Sequence, residues 1–186
     1  MIIETILSTR DEKGMPNFAP MGIEQTPSGC VTVRPFRTSR TWRNLCSDSF
    51  AVVNVVEPAL PFVLSALGSL DLPTFPARKI PCMVLQAASR WMELELAGRK
   101  QDEHRGNCLF RVVHEEGLRF FQGHNRARCA LVETAIAATR IHVFGKDPFW
   151  SEFSRACTLV EKTGGEEEKE ALLILKNWAE GFCESL

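Results

Sequence analysis

Residues 30–54 read Cys-Val-Thr-Val-Arg-Pro-Phe-Arg-Thr-Ser-Arg-Thr-Trp-Arg-Asn-Leu-Cys-Ser-Asp-Ser-Phe-Ala-Val-Val-Asn. Two β-rich runs, Cys30–Phe36 and Phe50–Val56, bracket a polar segment that concentrates Arg34, Arg37, Arg40 and Arg43 with Thr38, Ser39 and Thr41. The second run is apolar at consecutive positions, as in a strand buried on both faces. Between the runs, Ser39–Ser47 has the makings of a short helix with Ser39 as its N-cap. Guanidinium groups beside a helix start suit a phosphate, which takes charge-assisted, bidentate hydrogen bonds and the free N–H groups of a first turn. A solvated basic loop accounts for the same residue types, because runs of charge usually face water. Both readings stay open on residue type alone.

The rest of the chain limits what such a segment can serve. The 186 residues are 45% hydrophobic, enough to build a core without disulfides or metal. The net charge is −1 and the isoelectric point about 6.4, which argues against a general nucleic-acid or acidic-membrane binder. The basic segment is therefore a local concentration. Seven cysteines are scattered without a C-x-x-C pair or a Cys/His cluster, so no zinc site is expected and a reducing compartment is. The start, Met1-Ile2-Ile3-Glu4-Thr5, lacks the basic region of a signal peptide, and no apolar run reaches bilayer length. A cytoplasmic protein is expected.

Strands dominate the first two-thirds. Ile2–Thr9 and Asn17–Glu24 flank the turn signal Asp11-Glu12-Lys13-Gly14. Pro58–Leu67 resembles a short helix, Leu70–Pro81 with its prolines a loop, and Arg99–Gly106 a polar hairpin. Met83–Ala97, Cys108–His114 and Leu118–Gln122 complete about six or seven strands. Beyond Gly123 the spacing turns helical: Asn125–Val143, then Asp147–Lys162 opened by an Asp-Pro start, then a helix beginning at Glu166-Glu167-Glu168, where acidic residues suit the dipole. Strands followed by helices mean an α+β chain, with domains expected over 1–123 and 124–186.

No G-x-G-x-x-G, Walker A or G-x-S-x-G motif occurs. Three lesser features remain. Asn125-Arg126-Ala127-Arg128 opens a helix. Arg126, Glu133 and Arg140 recur every seven residues on one helix face, and an intramolecular salt-bridge seam is the preferred reading for Glu133. Asn17-Phe18-Ala19-Pro20-Met21-Gly22 combines small residues and proline in a strand, either to admit a flat ligand or as an edge with a bulge.

Taken together, three stretches resemble the DUF447 family. They are Ile3–Ile6 through Pro16–Gly22; Arg37–Leu45 with Phe50–Val55; and Asn125–Ala127 with Glu133–Arg140. The resemblance implies kinship with flavin reductases and pyridoxamine-phosphate oxidase: a split β-barrel that binds FMN, followed by a C-terminal helical bundle, in a homodimer. It implies a phosphate at Arg37, Ser39, Arg40 and Thr41 with Asn44 close by. The flavin ring would lie along Asn17, Ala19 and Pro20 and near Asn54 and Val55, and Arg126 would be lent from the helical tail. Arg34-Pro35-Phe36 departs from the small-residue pattern of flavin-reductase relatives, so Arg34 either neutralises the flavin edge or faces outward. The implied activity is flavin-mediated hydride or electron transfer to a small-molecule substrate, with a nicotinamide or deazaflavin as electron donor. A non-catalytic flavin carrier or sensor is the alternative, and RNA binding through the basic loop is a third reading that the acidic isoelectric point opposes.

Overall fold

The computed structural model describes residues 2–117 and 125–184. The strand expected over Leu118–Gln122 and the boundary expected after residue 123 lie outside the described residues. The chain divides into two compact units, one of residues 1–56 and 70–120, the other of residues 57–69 and 121–186.

In the first unit, strands β1 (Ile2–Arg10) and β2 (Pro16–Gln25) form an antiparallel hairpin. Its turn is held by Asp11, whose carboxylate accepts the N–H groups of Lys13 and Met15 at 2.9 Å, while Gly14 takes a φ of +79°. Strand β3 (Val31–Val33), helix α1 (Arg40–Ser47) and strand β4 (Phe50–Val56) follow. A small two-stranded sheet, β5 (Thr74–Pro76) and β6 (Met83–Leu85), precedes the long strands β7 (Ala88–Gln101) and β8 (Gly106–Gly117). Six strands close into an antiparallel barrel in the order β1-β2-β3-β8-β7-β4, with β4 returning to β1 through Leu7 opposite Val53. Strand alternation sends Leu7, Ile23, Val33, Val53, Met92, Leu94 and Phe110 into its interior.

The outer face beside β4 and β7 is covered as well. Val52 and Trp91 pack under Ile80, Cys82 and Val84, with Phe75 edge-on to Trp91 at 5.4 Å. The expected loop over Leu70–Pro81 therefore contributes a strand, and the continuous strand expected over Met83–Ala97 is broken at Gln86-Ala87 so that β6 can fold back over β4 and β7. A fully buried Glu93 anchors this cover. Its carboxylate accepts the backbone N–H groups of Arg78 and Lys79 at 2.7 Å each and Trp91 Nε1 at 3.2 Å. Burial works against the charge. The two backbone donors, the indole and the positive potential of His114 outweigh it and hold the carboxyl below the usual carboxylate range.

The second unit gathers α2 (Ala59–Ala66), α3 (Arg126–Ala138), α4 (Ile141–Phe144), α5 (Asp147–Thr163) and α6 (Glu166–Glu184). Ala59 and Val63 of α2 share a core with Leu131 and Ala135 of α3, Phe149 of α5 and Leu175 of α6. The helix expected over Asn125–Val143 is two helices, because the chain turns at Thr139-Arg140. Asp147, of the expected Asp-Pro start, is the first residue of α5, where its charge meets the positive helix end. At α6, buried Glu168 reaches back to Gly165 N at 2.8 Å and accepts Arg128 Nε at 2.9 Å. No described helix is long and apolar enough to cross a membrane.

Two outcomes follow from this packing. Glu93 is stabilised as an anion, so its contribution is present above the ordinary carboxylate pKa and is lost as pH falls through its lower folded value. Glu93→Ala is expected to cost roughly 1–3 kcal/mol in denaturant unfolding at neutral pH, since it leaves buried donors unmatched. Glu93→Gln is expected to flatten the loss of stability as pH falls below about the ordinary carboxylate pKa; an unchanged acid limb would contradict the assignment. Burial pushes the Cys82 thiol up to about 12 and the Cys108 thiol up to about 11, whereas Cys46 and Cys129 are exposed. A thiol reagent at pH 7 is therefore expected to modify Cys46 and Cys129 in the native protein, and Cys82 and Cys108 only after unfolding, as read by peptide mass.

Candidate functional site

Helix α1 closes one end of the barrel. Its inner side carries Trp42 and Leu45, both counted in the barrel core. The seat for Trp42 exists because residue 106 is glycine: a Cβ there would lie 2.0 Å from a Trp42 ring carbon. Arg99 stacks over the indole at 5.8 Å from the ring centroid and donates from Nη1 to the Leu45 carbonyl at the other end of the helix.

The same helix side bears Thr41 and Asn44, and these meet Thr9 and Asn17 from the first hairpin. All four are buried. Asn44 Nδ2 donates to Thr9 Oγ1 at 3.0 Å, and Asn17 Nδ2 spans Thr9 Oγ1 at 3.3 Å and Thr41 Oγ1 at 3.4 Å. Among the described residues no buried side-chain nitrogen or oxygen lacks a partner. The structure thus brings together Asn17, Thr41 and Asn44 of the residues singled out in the sequence. The residue joining them, Thr9, is not among those. Its signal is the turn at Asp11–Gly14, which places Thr9 opposite Asn17 in the hairpin register.

The outward side of α1 is different in kind. Ser39 caps the helix, accepting Trp42 N at 3.1 Å and donating to the Phe36 carbonyl at 2.6 Å. The backbone N–H groups of Arg40 and Thr41 have no acceptor among the described residues. The exposed guanidinium groups of Arg40 and Arg43 have neither an ion pair nor a hydrogen bond there, and the first turn holds no acidic residue. Two cations near the positive end of a helix dipole cost free energy, about 0.3–1 kcal/mol each, unless an anion joins them. Arg37 is engaged elsewhere: its N–H donates to the His104 carbonyl at 3.0 Å and its Nη1 to the carbonyls of Asp102 and Glu103 at 3.3 Å. It ties the start of α1 to the β7–β8 turn.

The remaining residues singled out in the sequence fall in several places. Ala19 and Pro20 are half-buried on β2, opposite Leu7 and Ile6. Val55 is half-buried at a bulge in β4 and accepts Ser89 Oγ at 3.1 Å. The Asn54 amide is consumed in the fold. Its Nδ2 donates to the Ile6 carbonyl at 2.9 Å and Ser8 Oγ at 2.8 Å, and its Oδ1 accepts Leu85 N at 2.9 Å. Arg34 lies just past β3 and is exposed. Arg126 is exposed in the first turn of α3, in the second unit. It lines a cleft of about 430 Å³ with Glu133, Glu152 and Arg155. The salt-bridge seam expected there is not formed: among the described residues neither Arg126, Glu133 nor Arg140 makes an ion pair, because positions seven apart lie about 10 Å apart along a helix and α3 ends before Arg140.

Comparison with known proteins places this architecture. The family model described as "Protein of unknown function (DUF447) N-terminal domain" matches residues 3–119, and "Protein of unknown function (DUF447)" matches residues 125–177. The chain belongs to the DUF447 family. An FMN-bound DUF447 protein of Methanosarcina mazei is 25% identical, with a TM-score of 0.83 over 95% of this chain and 94% of that one. An FMN-binding protein of Thermus thermophilus, 16% identical, shares the barrel fold at a TM-score of 0.54 over 62% of this chain and 70% of its own. The 2-nitrobenzoate 2-nitroreductase of Pseudomonas fluorescens, 15% identical, does so at 0.56 over 62% and 64%. The fold of this DUF447 chain is the split β-barrel of FMN-binding proteins with added C-terminal helices.

The seat of α1 is open to a direct test. Gly106→Ala is expected to lower stability by roughly 1–3 kcal/mol, the usual cost of overpacking, and to shift tryptophan emission. Combining it with Trp42→Leu should recover part of the loss; additive losses would show that the two positions do not share one space.

Proposed function

We propose that this chain is a flavoprotein that binds FMN through the first turn of α1 and acts as an oxidoreductase on a small-molecule substrate. The observation that carries the reading is the donor set there: two N–H groups and two guanidinium groups without acceptors among the described residues, in a chain whose relative from Methanosarcina mazei is FMN-bound. That set fits a phosphate monoester in charge and hydrogen-bonding type. Arg40 and Arg43 would neutralise it, with the N–H groups of Arg40 and Thr41 as further donors. Ser39 and Arg37 hold the turn in shape, and the Thr9–Asn17–Thr41–Asn44 network holds the helix to the barrel. Ala19, Pro20 and Val55 are the proposed ring-side residues. Asn54 is left to its structural bonds. When bound, the flavin supplies the hydride or electron transfer. A homodimer and a nicotinamide or deazaflavin donor belong to the same proposal.

A carrier role is the second reading. It is favoured by the buried residues at the barrel mouth, Thr9, Asn17, Thr41 and Asn44, none of which can exchange a proton near neutral pH.

The purified protein, after incubation with FMN and removal of the excess, is expected to keep the visible absorbance of oxidised flavin. Arg40→Ala and Arg43→Ala are each expected to weaken FMN binding by roughly 1–3 kcal/mol, the worth of a hydrogen bond to a charged group. Unchanged affinity in both would place the phosphate elsewhere. Anaerobic addition of NADH, NADPH or a reduced deazaflavin should bleach the flavin at a catalytic rate. Colour that persists with every donor would favour the carrier.

A further inference from the structure

The four arginines that sit together in the sequence separate in space. Arg40 and Arg43 stand on the exposed side of α1, which closes one end of the barrel. Arg34 stands on the outside. Val33 and Cys108 face the interior as cross-strand partners, so the neighbouring positions Arg34 and Asn107 point outward, and Lys100, the partner of Asn107, shares their face. Arg105 lies on that face too, through its bridge to Phe36. Arg34 and Lys100 are exposed and make no side-chain hydrogen bond or ion pair among the described residues.

Arg105 is already ordered. Its Nη1 donates to the Arg34 carbonyl at 3.0 Å, and its guanidinium lies 3.9 Å from the centroid of the Phe36 ring. Phe36 keeps 45% of its surface in water even so. The turn beneath is rigid: the Asp102 carboxylate accepts the N–H groups of His104 and Arg105 at 2.8 and 2.7 Å, and Arg37 clamps the carbonyls of Asp102 and Glu103. The acids near this corner are Asp102 and Glu103 in the turn and, on the same outer face, Glu4 and Glu24, opposite Gly22 and Thr32. Asp102 is spent on the N–H groups of the turn.

We propose that this outer corner is a binding site for a nucleoside diphosphate, separate from the flavin site. Phe36, backed by the Arg105 guanidinium, offers an aromatic surface on which a base stacks. Arg34 and Lys100 offer two cations, unpaired among the described residues, for the adjoining phosphates, matched to a diphosphate better than to one phosphate. Pre-ordering of Arg105 removes part of the entropic cost of binding. The proposal does not depend on FMN.

Calorimetric titration of the full chain at low ionic strength with ADP, adenosine and inorganic pyrophosphate tests it. ADP is expected to bind more tightly than either fragment. Lys100→Ser combined with Arg34→Ser should weaken ADP and pyrophosphate at least tenfold. Phe36→Ser should weaken ADP by a similar factor and leave pyrophosphate unchanged. Circular dichroism checks that the variants are folded, and flavin absorbance reports on the other site independently. A protein that binds ADP without retaining FMN would keep this site and remove the flavin reading. Failure to bind ADP, equal binding by the folded variants, or pyrophosphate binding as tight as ADP and insensitive to Phe36 would overturn the nucleotide site.

Discussion

The packing of Trp42 against the bare backbone of Gly106 is the constraint on which the candidate site depends. The indole occupies the space that any Cβ at residue 106 would need. That contact lets α1 sink into the end of the barrel, and Leu45 follows Trp42 into the core. Once the helix is seated, its polar inner residues must find partners, because an unmatched amide or hydroxyl there would cost as much as the apolar burial supplies. Thr9 meets this demand by accepting from both Asn17 and Asn44. The orientation of the helix start, and with it the outward display of Arg40 and Arg43, is a consequence.

Buried polar groups do similar work elsewhere in the barrel unit. Asn54 uses both ends of its amide to join β1, β4 and β6. Glu93 holds the 78–79 backbone over Trp91. Each is a polar residue on a strand face that has been roofed over, and each is matched by backbone donors or acceptors that would otherwise lose water without compensation. Such residues resemble site residues in a sequence, since buried Asn and Glu are uncommon. Here their bonds are spent on the fold.

The arginines show the opposite case. Arg37 is anchored by carbonyls and Arg105 by a carbonyl and a ring, whereas Arg34, Arg40, Arg43 and Lys100 stand without partners among the described residues. In a chain of net charge −1, cations without partners among the described residues, at the start of α1 and on the outer face beside β3, are local fields that favour anions.

Features governed by near neighbours were legible in the sequence. Ser39 as N-cap, the hairpin about Asp11–Gly14, the apolar β4 run and the acidic start of α6 depend on contacts a few residues apart, and alternation and capping rules read them directly. The fold class came from the order of these pieces and from the family likeness of three stretches. The pairing of β3 with β8, the folding of β5 and β6 over Trp91, and the grouping of α2 with the C-terminal helices were not legible, because each joins segments far apart in the chain. The site divides in the same way. The sequence by itself determined that donors for an anion cluster in residues 34–43. Only the tertiary structure decided which donors remain available, since hydrogen-bonding capacity is used up by whatever the closed barrel brings alongside: carbonyls beside Arg37, Thr9 beside Asn44, and nothing described beside Arg40.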